Sequence, residues 1–293
     1  MPNQDSAASN TRRAGKIIAA ASAKGGVGKT SVVATLAAVL AESGTVLAVD
    51  ADASADLTVV HGFDADQIPI ERTVGAAWAA ALEGTPGEPG VDDLAIPIEE
   101  KPGLRLCPSS ADVARVIKMI EADNWGVTAI RDAVWASTPE ERDWTIIDTP
   151  PLLGTYQLAC LIAADWVIIP VAPDMRAVRG ADRIIAEVGR IRSRGLNPNV
   201  RVVGLVGVGV DSNTNISRDL REHLGDWYVT EDGEKIPVLG HIPRSVRISE
   251  AAAAGKAITD YAPRHPAAEA WREVTGRLLE LAKEEGPSTH RLS

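Results

Sequence analysis

One stretch constrains this 293-residue chain more than any other, the Ala-Lys-Gly-Gly-Val-Gly-Lys-Thr-Ser run at residues 23–31. The apolar run from Ile17 to Ala21 precedes it and predicts a buried strand. Apolar residues at helical spacing follow it, up to a Ser-Gly stop at residues 43–44. Strand, glycine-rich loop and helix in this order are typical of a phosphate-binding loop.

The residue types of this loop suit a nucleotide. Glycines let backbone N–H groups turn toward phosphate oxygens, and the helix N-terminus adds partial positive charge. In such a loop Lys29 reaches the β- and γ-phosphates, and the Thr30 hydroxyl ligates Mg²⁺. We therefore predict ATP and Mg²⁺ as cofactors. The predicted contacts of the loop are Lys24, Gly25, Gly26, Val27, Gly28, Lys29, Thr30 and Ser31.

Composition limits the class of protein. The net charge of −10 argues against a surface that coats nucleic acid generally, but it leaves room for a local basic patch. No apolar run reaches the roughly 18 residues of a membrane span, and residues 1–13 lack the apolar middle of a signal peptide. Cys107 and Cys160 are far apart and are interpreted as buried small apolar residues. We expect a cytoplasmic protein without a membrane partner.

Strand and helix patterns alternate along the chain. Near-continuous apolar strands are predicted at residues 45–50, 144–148, 165–171, 202–210 and 238–243, with helices between them. This pattern predicts a single doubly wound α/β domain at residues 15–285, with a mostly parallel sheet and helices on both faces. Residues 1–14 and 286–293 are predicted to be a disordered and a flexible tail. Residues 83–103, rich in Pro, Gly and acid, are predicted to be a surface excursion.

Three aspartates come at or just after predicted strands: Asp50, Asp52 and Asp148. Ligands of such sheets bind beyond the carboxyl ends of the strands. Asp148 is predicted to hold the Mg²⁺ shell, partly through water, and Asp50 to support the same shell. Asp52 is placed to orient or activate the attacking water. The alternative is that each aspartate is only a helix cap or a turn residue.

The loop, with its additional Lys24, resembles the deviant Walker A of the ParA/MinD ATPases. From about Lys16 to Leu281 the chain resembles the ParA/Soj-type partition ATPases, with further matches at residues 46–52, 144–151, 165–171 and 240–263. The resemblance implies an ATP-sandwich homodimer that binds DNA non-specifically. It also implies an ATPase that is weak alone and stimulated by a ParB-like partner.

The same resemblance implies roles for individual residues. Lys24 would be the signature lysine that reaches the partner's nucleotide, and Lys29 with Thr30 the P-loop pair. Asp52 would be the water-activating aspartate and Asp148 the Walker B residue. The chain departs from the family at Ala53-Ser54, where Pro-Gln is usual, and residues 208–215, the place for adenine contacts, match only loosely. We expect no N-terminal helix-turn-helix domain.

Arginines are the candidate DNA contacts. Given the resemblance, we predict that Arg218, Arg221, Arg244 and Arg247 contact phosphates, which gives salt-dependent, sequence-independent affinity and nucleoid association. The alternative is an ordinary solvated surface. A second set is predicted to be structural or to face the dimer partner: Arg176, Arg179 and Arg183.

Two alternative functions share the same chemistry. A MinD-like ATPase would need a basic amphipathic C-terminal helix, whereas residues 271–285 carry four acidic residues against three basic ones. An ATPase that positions an organelle or another cargo on a protein surface would differ only in its partner. A non-catalytic scaffold is disfavoured because Lys24, Lys29, Thr30, Asp52 and Asp148 are all present.

Overall fold

A central sheet of buried strands organises the molecule. The computed structural model describes residues 11–86, 88–137, 142–151, 154–211, 214–230, 232–285 and 288–291. The strands are β1 (Thr11–Ala14), β2 (Lys16–Ala20), β3 (Val46–Asp50), β4 (Ile96–Ile98), β5 (Lys101–Cys107), β6 (Trp144–Asp148), β7 (Trp166–Val171), β8 (Arg201–Val210), β9 (Val238–Pro243) and β10 (Ser288–Arg291). The main sheet has the order β4-β5-β3-β6-β2-β7-β8-β9, and all its pairs are parallel except β4 with β5.

Helices cover both faces of this sheet. They are α1 (Lys29–Leu40), α2 (Asp56–Val60), α3 (Val74–Leu82), α4 (Val113–Ala122), α5 (Gly126–Ser137), α6 (Thr155–Ala163), α7 (Met175–Ser193), α8 (Asn215–Trp227), α9 (Val246–Ala253), α10 (Ile258–Tyr261) and α11 (Pro266–Glu285). Helices α3 to α8 pack on one face, and α1, α2 and α9 to α11 on the other. In the described part of the chain, none of these helices has the length and apolarity to cross a membrane.

The predicted doubly wound α/β architecture is confirmed. Strands β3, β6 and β7 are buried along their whole length, because helices cover both sides of a parallel sheet. Cys107 and Cys160 are fully buried, as predicted. The surface excursion predicted at residues 83–103 is wrong in part, because β4 lies inside it. This edge strand has three residues, too few for a strand pattern to stand out among the surrounding prolines and glycines.

Two short segments close to the chain ends are paired in the structure. The backbone of β1 pairs antiparallel with that of β10, from Thr11 opposite Arg291 to Ala14 opposite Ser288. Both segments belong to the stretches that the sequence analysis placed in tails. Polar four-residue segments so far apart carry no local signal of pairing. The rest of those stretches, residues 1–10, 286, 287, 292 and 293, lies outside the described residues.

The end of α11 is fastened to the amino ends of the central strands. The indole Nε1 of Trp166 donates a hydrogen bond to Glu285 Oε2 over 3.1 Å. The ammonium of Lys16 lies 3.3 Å from the same oxygen and 5.1 Å from the Trp166 ring centroid. These contacts lie at the amino ends of the strands, whereas the aspartates lie at the carboxyl ends.

Two glycine substitutions test the packing. A Cβ on Gly103 in β5 would lie 2.6 Å from the Gly44 carbonyl oxygen, and this overlap with backbone cannot be relieved by a side-chain movement. We expect Gly103→Ala to lower the free energy of unfolding by roughly 1–3 kcal/mol. Gly276 in α11 has open space around its Cβ position, so Gly276→Ala should raise it by up to about 1 kcal/mol. Urea unfolding measures the free energy of unfolding of both variants. Equal changes in the two variants would contradict the described packing.

Candidate nucleotide and magnesium site

The glycine-rich loop has the backbone that a phosphate cradle needs. Gly26 has φ 74° and Gly28 has φ 88°, a left-handed region that favours glycine. Gly28 comes directly before α1, and a Cβ there would lie 3.2 Å from Val208 Cγ1. The loop therefore turns sharply into α1, whose first N–H groups have no partner within the helix. These groups are available to an anion.

Lys29, the first residue of α1, is buried beside the acidic groups. Burial lowers the pKa of Lys29, while the carboxylates of Asp148, Asp52 and Asp56 act in the opposite direction. The sequence-predicted Lys29, Asp52 and Asp148 thus lie close enough to interact. A buried cation among acidic groups is suited to neutralise phosphate charge.

Asp148 is the buried carboxylate at the end of β6. Its Oδ2 accepts a hydrogen bond of 2.7 Å from the Thr30 hydroxyl, so the two predicted Mg²⁺ ligands are in contact. Its Oδ1 is buried without a hydrogen-bond partner among the described residues. Burial and the neighbouring Asp50 raise the pKa of Asp148 to about 8. A free carboxylate oxygen beside a threonine hydroxyl fits a hydrated Mg²⁺, which prefers oxygen ligands and keeps several of its waters.

Asp50 lies opposite Asp148 in the register of β3 and β6. Its Oδ2 accepts hydrogen bonds from both the backbone N–H and the hydroxyl of Thr58, over 2.8 and 2.6 Å. Burial raises the pKa of Asp50 to about 7, although these hydrogen bonds oppose the shift. Asp50 thus anchors the short helix α2, a contact that the sequence analysis did not anticipate. Its support of a Mg²⁺ shell stays a prediction.

Asp52 lies on the loop between β3 and α2. Its Oδ1 accepts a hydrogen bond of 2.9 Å from the Ser54 N–H, and its side chain is half-buried. The loop enters α2 through Ala55, which has φ 55°. A residue with a Cβ disfavours this left-handed conformation by roughly 1–2 kcal/mol. Such strain is often found in segments that move or act at functional sites.

Lys24 forms an ion pair within its own chain. Its Nζ lies 2.6 Å from Asp174 Oδ2, and both side chains are more than one-third exposed. Asp174 also caps α7 by accepting hydrogen bonds from the N–H groups of Arg176 and Ala177. Although burial acts in the opposite direction, the hydrogen bonds from Lys24 and the helix hold the pKa of Asp174 below its ordinary value. In the single chain, therefore, Lys24 is directed toward the start of α7.

The predicted DNA-contacting arginines lie at the far edge of the sheet. Arg218 and Arg221 are exposed on α8, and Arg244 and Arg247 are exposed after β9. Arg247 forms an ion pair of 2.7 Å with Glu250. The second set, Arg176, Arg179 and Arg183, is on α7, and each member is exposed.

Several contacts of the site were missed by the sequence analysis. They involve Thr58, Tyr156, Gln157 and Asp174. For Asp174 the sequence did hold a signal, an acidic residue shortly after an apolar strand. Asp174 follows β7 in this way, and Asp148 is the last residue of β6. The loop at residues 208–215 is described only in part, since residues 212 and 213 lie outside the described residues.

We expect binding of Mg²⁺-nucleotide to release protons and to strengthen as the pH rises toward about 8. The raised pKa of Asp148 means that its carboxyl group is largely protonated near neutral pH, whereas metal binding requires the carboxylate. Titration calorimetry in buffers of different ionisation enthalpy measures the proton release. Asp148→Asn cannot ionise and serves as the control. A pH-independent affinity without proton release in the unmodified chain would contradict the expectation.

Comparisons with known proteins identify the family of the chain. The family model described as AAA domain (AAA_31) matches residues 15–202. The chain is 32% identical over 276 residues to the chromosome-partitioning ATPase Soj of Thermus thermophilus, covering 91% of this chain and 96% of that protein. It is 31% identical over 279 residues to the chromosome partitioning protein ParA of Myxococcus xanthus, covering 94% and 91%.

A solved structure extends the likeness to the fold. The chain is similar to the cobyrinic acid a,c-diamide synthase of Mycobacterium smegmatis with bound ATP analog and magnesium. The TM-score is 0.74 at 28% identity, covering 95% of this chain and 100% of that one. Family model, relatives and fold agree, and the chain belongs to the AAA-domain family of Soj/ParA-type partition ATPases.

Proposed function

We propose that the chain is a DNA-partition ATPase that forms an ATP-sandwich dimer, binds DNA non-specifically and is stimulated by a ParB-like partner. Membership in the Soj/ParA family makes it an ATPase that uses ATP and Mg²⁺. The observation that carries the proposal is the contact of Thr30 with the buried Asp148, next to the buried Lys29. This arrangement matches the needs of phosphoryl transfer, which depends on positioning and charge neutralisation.

The chain's own residues divide the work of hydrolysis. The N–H groups at the start of α1 and the ammonium of Lys29 bind the phosphate oxygens. Thr30 and Asp148 would hold the metal, which would supply charge neutralisation at the transferred phosphoryl group. Asp52, on the strained loop before α2, orients the attacking water. Its half-buried position leaves the carboxylate accessible to water while it remains near Lys29.

The dimer proposal rests on Lys24. In one chain this lysine is bound to Asp174, and the partial exposure of both side chains leaves the pair open to exchange. Ion pairs of this exposure contribute little to stability, typically below about 1 kcal/mol. A partner's triphosphate carries more negative charge than one carboxylate and could therefore capture the lysine. Hydrolysis by the isolated chain would then be slow.

The DNA proposal rests on four exposed arginines at one edge of the sheet. Arg221 and Arg244 have no ion pair among the described residues, so both are available to phosphates. The Arg218 guanidinium donates a hydrogen bond of 2.8 Å to the Asn215 side chain, while Arg247 would exchange Glu250 for a phosphate. A dimer doubles the number of these contacts. Since affinity depends steeply on the number of phosphates contacted, only the ATP-bound dimer would hold DNA in the nucleoid.

A binding assay with a random duplex tests this function. We expect Asp52→Ala to abolish turnover and to bind the duplex with ATP but not with ADP or without nucleotide. Binding should weaken with salt and be indifferent to sequence. In this background, replacing Arg221 and Arg244 with alanine should weaken binding and lower the salt slope by roughly one per lost phosphate contact. Arg115→Ala, which removes an exposed arginine of α4 that is paired with Asp112, is the control.

Three outcomes would count against the proposal. Turnover by Asp52→Ala would remove the role of Asp52. Equal losses in the Arg115→Ala control would remove the arginine assignment. Absence of DNA binding in every nucleotide state, with the dimer still formed, would favour the alternative function, a MinD-like or cargo-positioning ATPase on a membrane or protein surface.

A further inference from the structure

The backbone of Ala51, between Asp50 and Asp52, is held from two sides. The Ala51 N–H donates a hydrogen bond of 3.0 Å to the carbonyl oxygen of Asp148. The Ala51 carbonyl oxygen accepts a hydrogen bond of 2.8 Å from the hydroxyl of Tyr156. Ala51 is fully buried, so water cannot replace either partner. The direction in which the chain leaves β3 toward Asp52 is therefore set by these two bonds.

Tyr156 is itself fixed. Its side chain is buried in the first turn of α6, and its phenol oxygen accepts a hydrogen bond of 3.1 Å from the indole Nε1 of Trp78. Trp78, on α3, has no exposed surface. Burial raises the pKa of Tyr156 well above its ordinary value, so the hydroxyl keeps the proton that it donates. The phenol thus donates to Ala51 and accepts from Trp78, which satisfies its hydrogen-bonding capacity.

The start of α6 also holds the other two loops of the site. The amide of Gln157, the next residue, donates hydrogen bonds of 2.6 Å to the Pro150 carbonyl and 3.1 Å to the Ser22 carbonyl. Pro150 lies on the loop after Asp148, and Ser22 precedes the glycine-rich loop. One helical turn therefore connects all three segments that surround the phosphate position.

We propose that Tyr156 is a positioning residue for ATP hydrolysis: its hydroxyl fixes the Ala51 peptide relative to Asp148 and so aims the Asp52 carboxylate at the attacking water. The proposal rests on the role of Asp52 proposed above. Tyr156 touches neither nucleotide nor water in this account and acts through Ala51. Because rates depend steeply on the placement of reacting groups, a small displacement of Asp52 has a large effect on turnover while leaving nucleotide binding intact.

Tyr156→Phe in the full chain tests the proposal, because it removes only the hydroxyl. We expect kcat to fall by roughly ten- to a hundred-fold, with KM and the nucleotide affinity unchanged. Tyr228→Phe is the matched control. The Tyr228 hydroxyl is part of a buried phenol and donates a hydrogen bond of the same 2.8 Å length to a backbone carbonyl, that of Val178 on α7. It should lower the thermal midpoint while leaving kcat unchanged.

A second variant covers the case in which Tyr156→Phe does not fold. Trp78→Phe keeps Tyr156 and removes its indole donor together with part of the buried ring volume, and we expect a several-fold lower kcat at unchanged KM. Wild-type kcat in a folded Tyr156→Phe chain would overturn the proposal, as would equal loss of kcat in Tyr228→Phe. Asp52→Ala, assayed in parallel, separates the two proposals. Turnover by Asp52→Ala refutes the role of Asp52, whereas an inactive Asp52→Ala beside a fully active Tyr156→Phe refutes only the role of Tyr156.

Discussion

Two carboxyl groups buried at neighbouring strand ends impose the main physical constraint on this molecule. Asp50 and Asp148 are at most 1% exposed, and a charge without partners in such a place is costly. The surrounding residues provide the two carboxyl groups with different hydrogen bonds. Thr58 gives Asp50 two hydrogen bonds, while Asp148 receives one from Thr30 and keeps an oxygen without a partner. A hydrated cation, brought by the phosphates of a nucleotide, would supply the partner that this oxygen of Asp148 lacks.

The remaining parts of the site follow from the position of this pair. The parallel sheet places β3, β6 and β2 side by side, so the loops that follow them meet beyond the carboxyl ends of these strands. The glycine-rich loop supplies N–H groups there, and α1 begins with Lys29. Helix α6 then holds the three loops through Tyr156 and Gln157. Hydrogen bonds from α6 thus hold the three loops of the proposed site, while the Lys24–Asp174 pair is more exposed.

Local patterns were sufficient for the parts of the fold that are local. Strands β6 and β9 have the predicted bounds, because apolar runs buried on both faces stand out from their surroundings. The antiparallel β4 was missed, since it is short and lies in a Pro- and Gly-rich segment. The alanine-rich α3 was not predicted either, because its apolar residues occupy all sides and give no amphipathic period.

The same distinction holds for the site. The loop and the three aspartates could be recognised because each stands in a short local pattern, a glycine-rich run or the end of an apolar strand. The Lys24–Asp174 pair joins residues 150 positions apart, and the Tyr156–Ala51 bond spans 105. Such contacts depend on how helices pack on the sheet, which no short sequence window records. For this reason the sequence analysis named the groups proposed to contact the nucleotide but missed the groups that hold them in place.

The central claim is that each complete site needs Lys24 from a second chain, and mixing two inactive variants tests it most directly. A dimer of Lys24→Ala with Asp52→Ala would contain one site with both Asp52 and the partner's lysine, and one site with neither. The account predicts that each variant alone is inactive and that an equal mixture recovers up to roughly a quarter of the wild-type rate, since half of the dimers are mixed. A mixture that stays inactive at every ratio, or hydrolysis by Lys24→Ala alone, would contradict it.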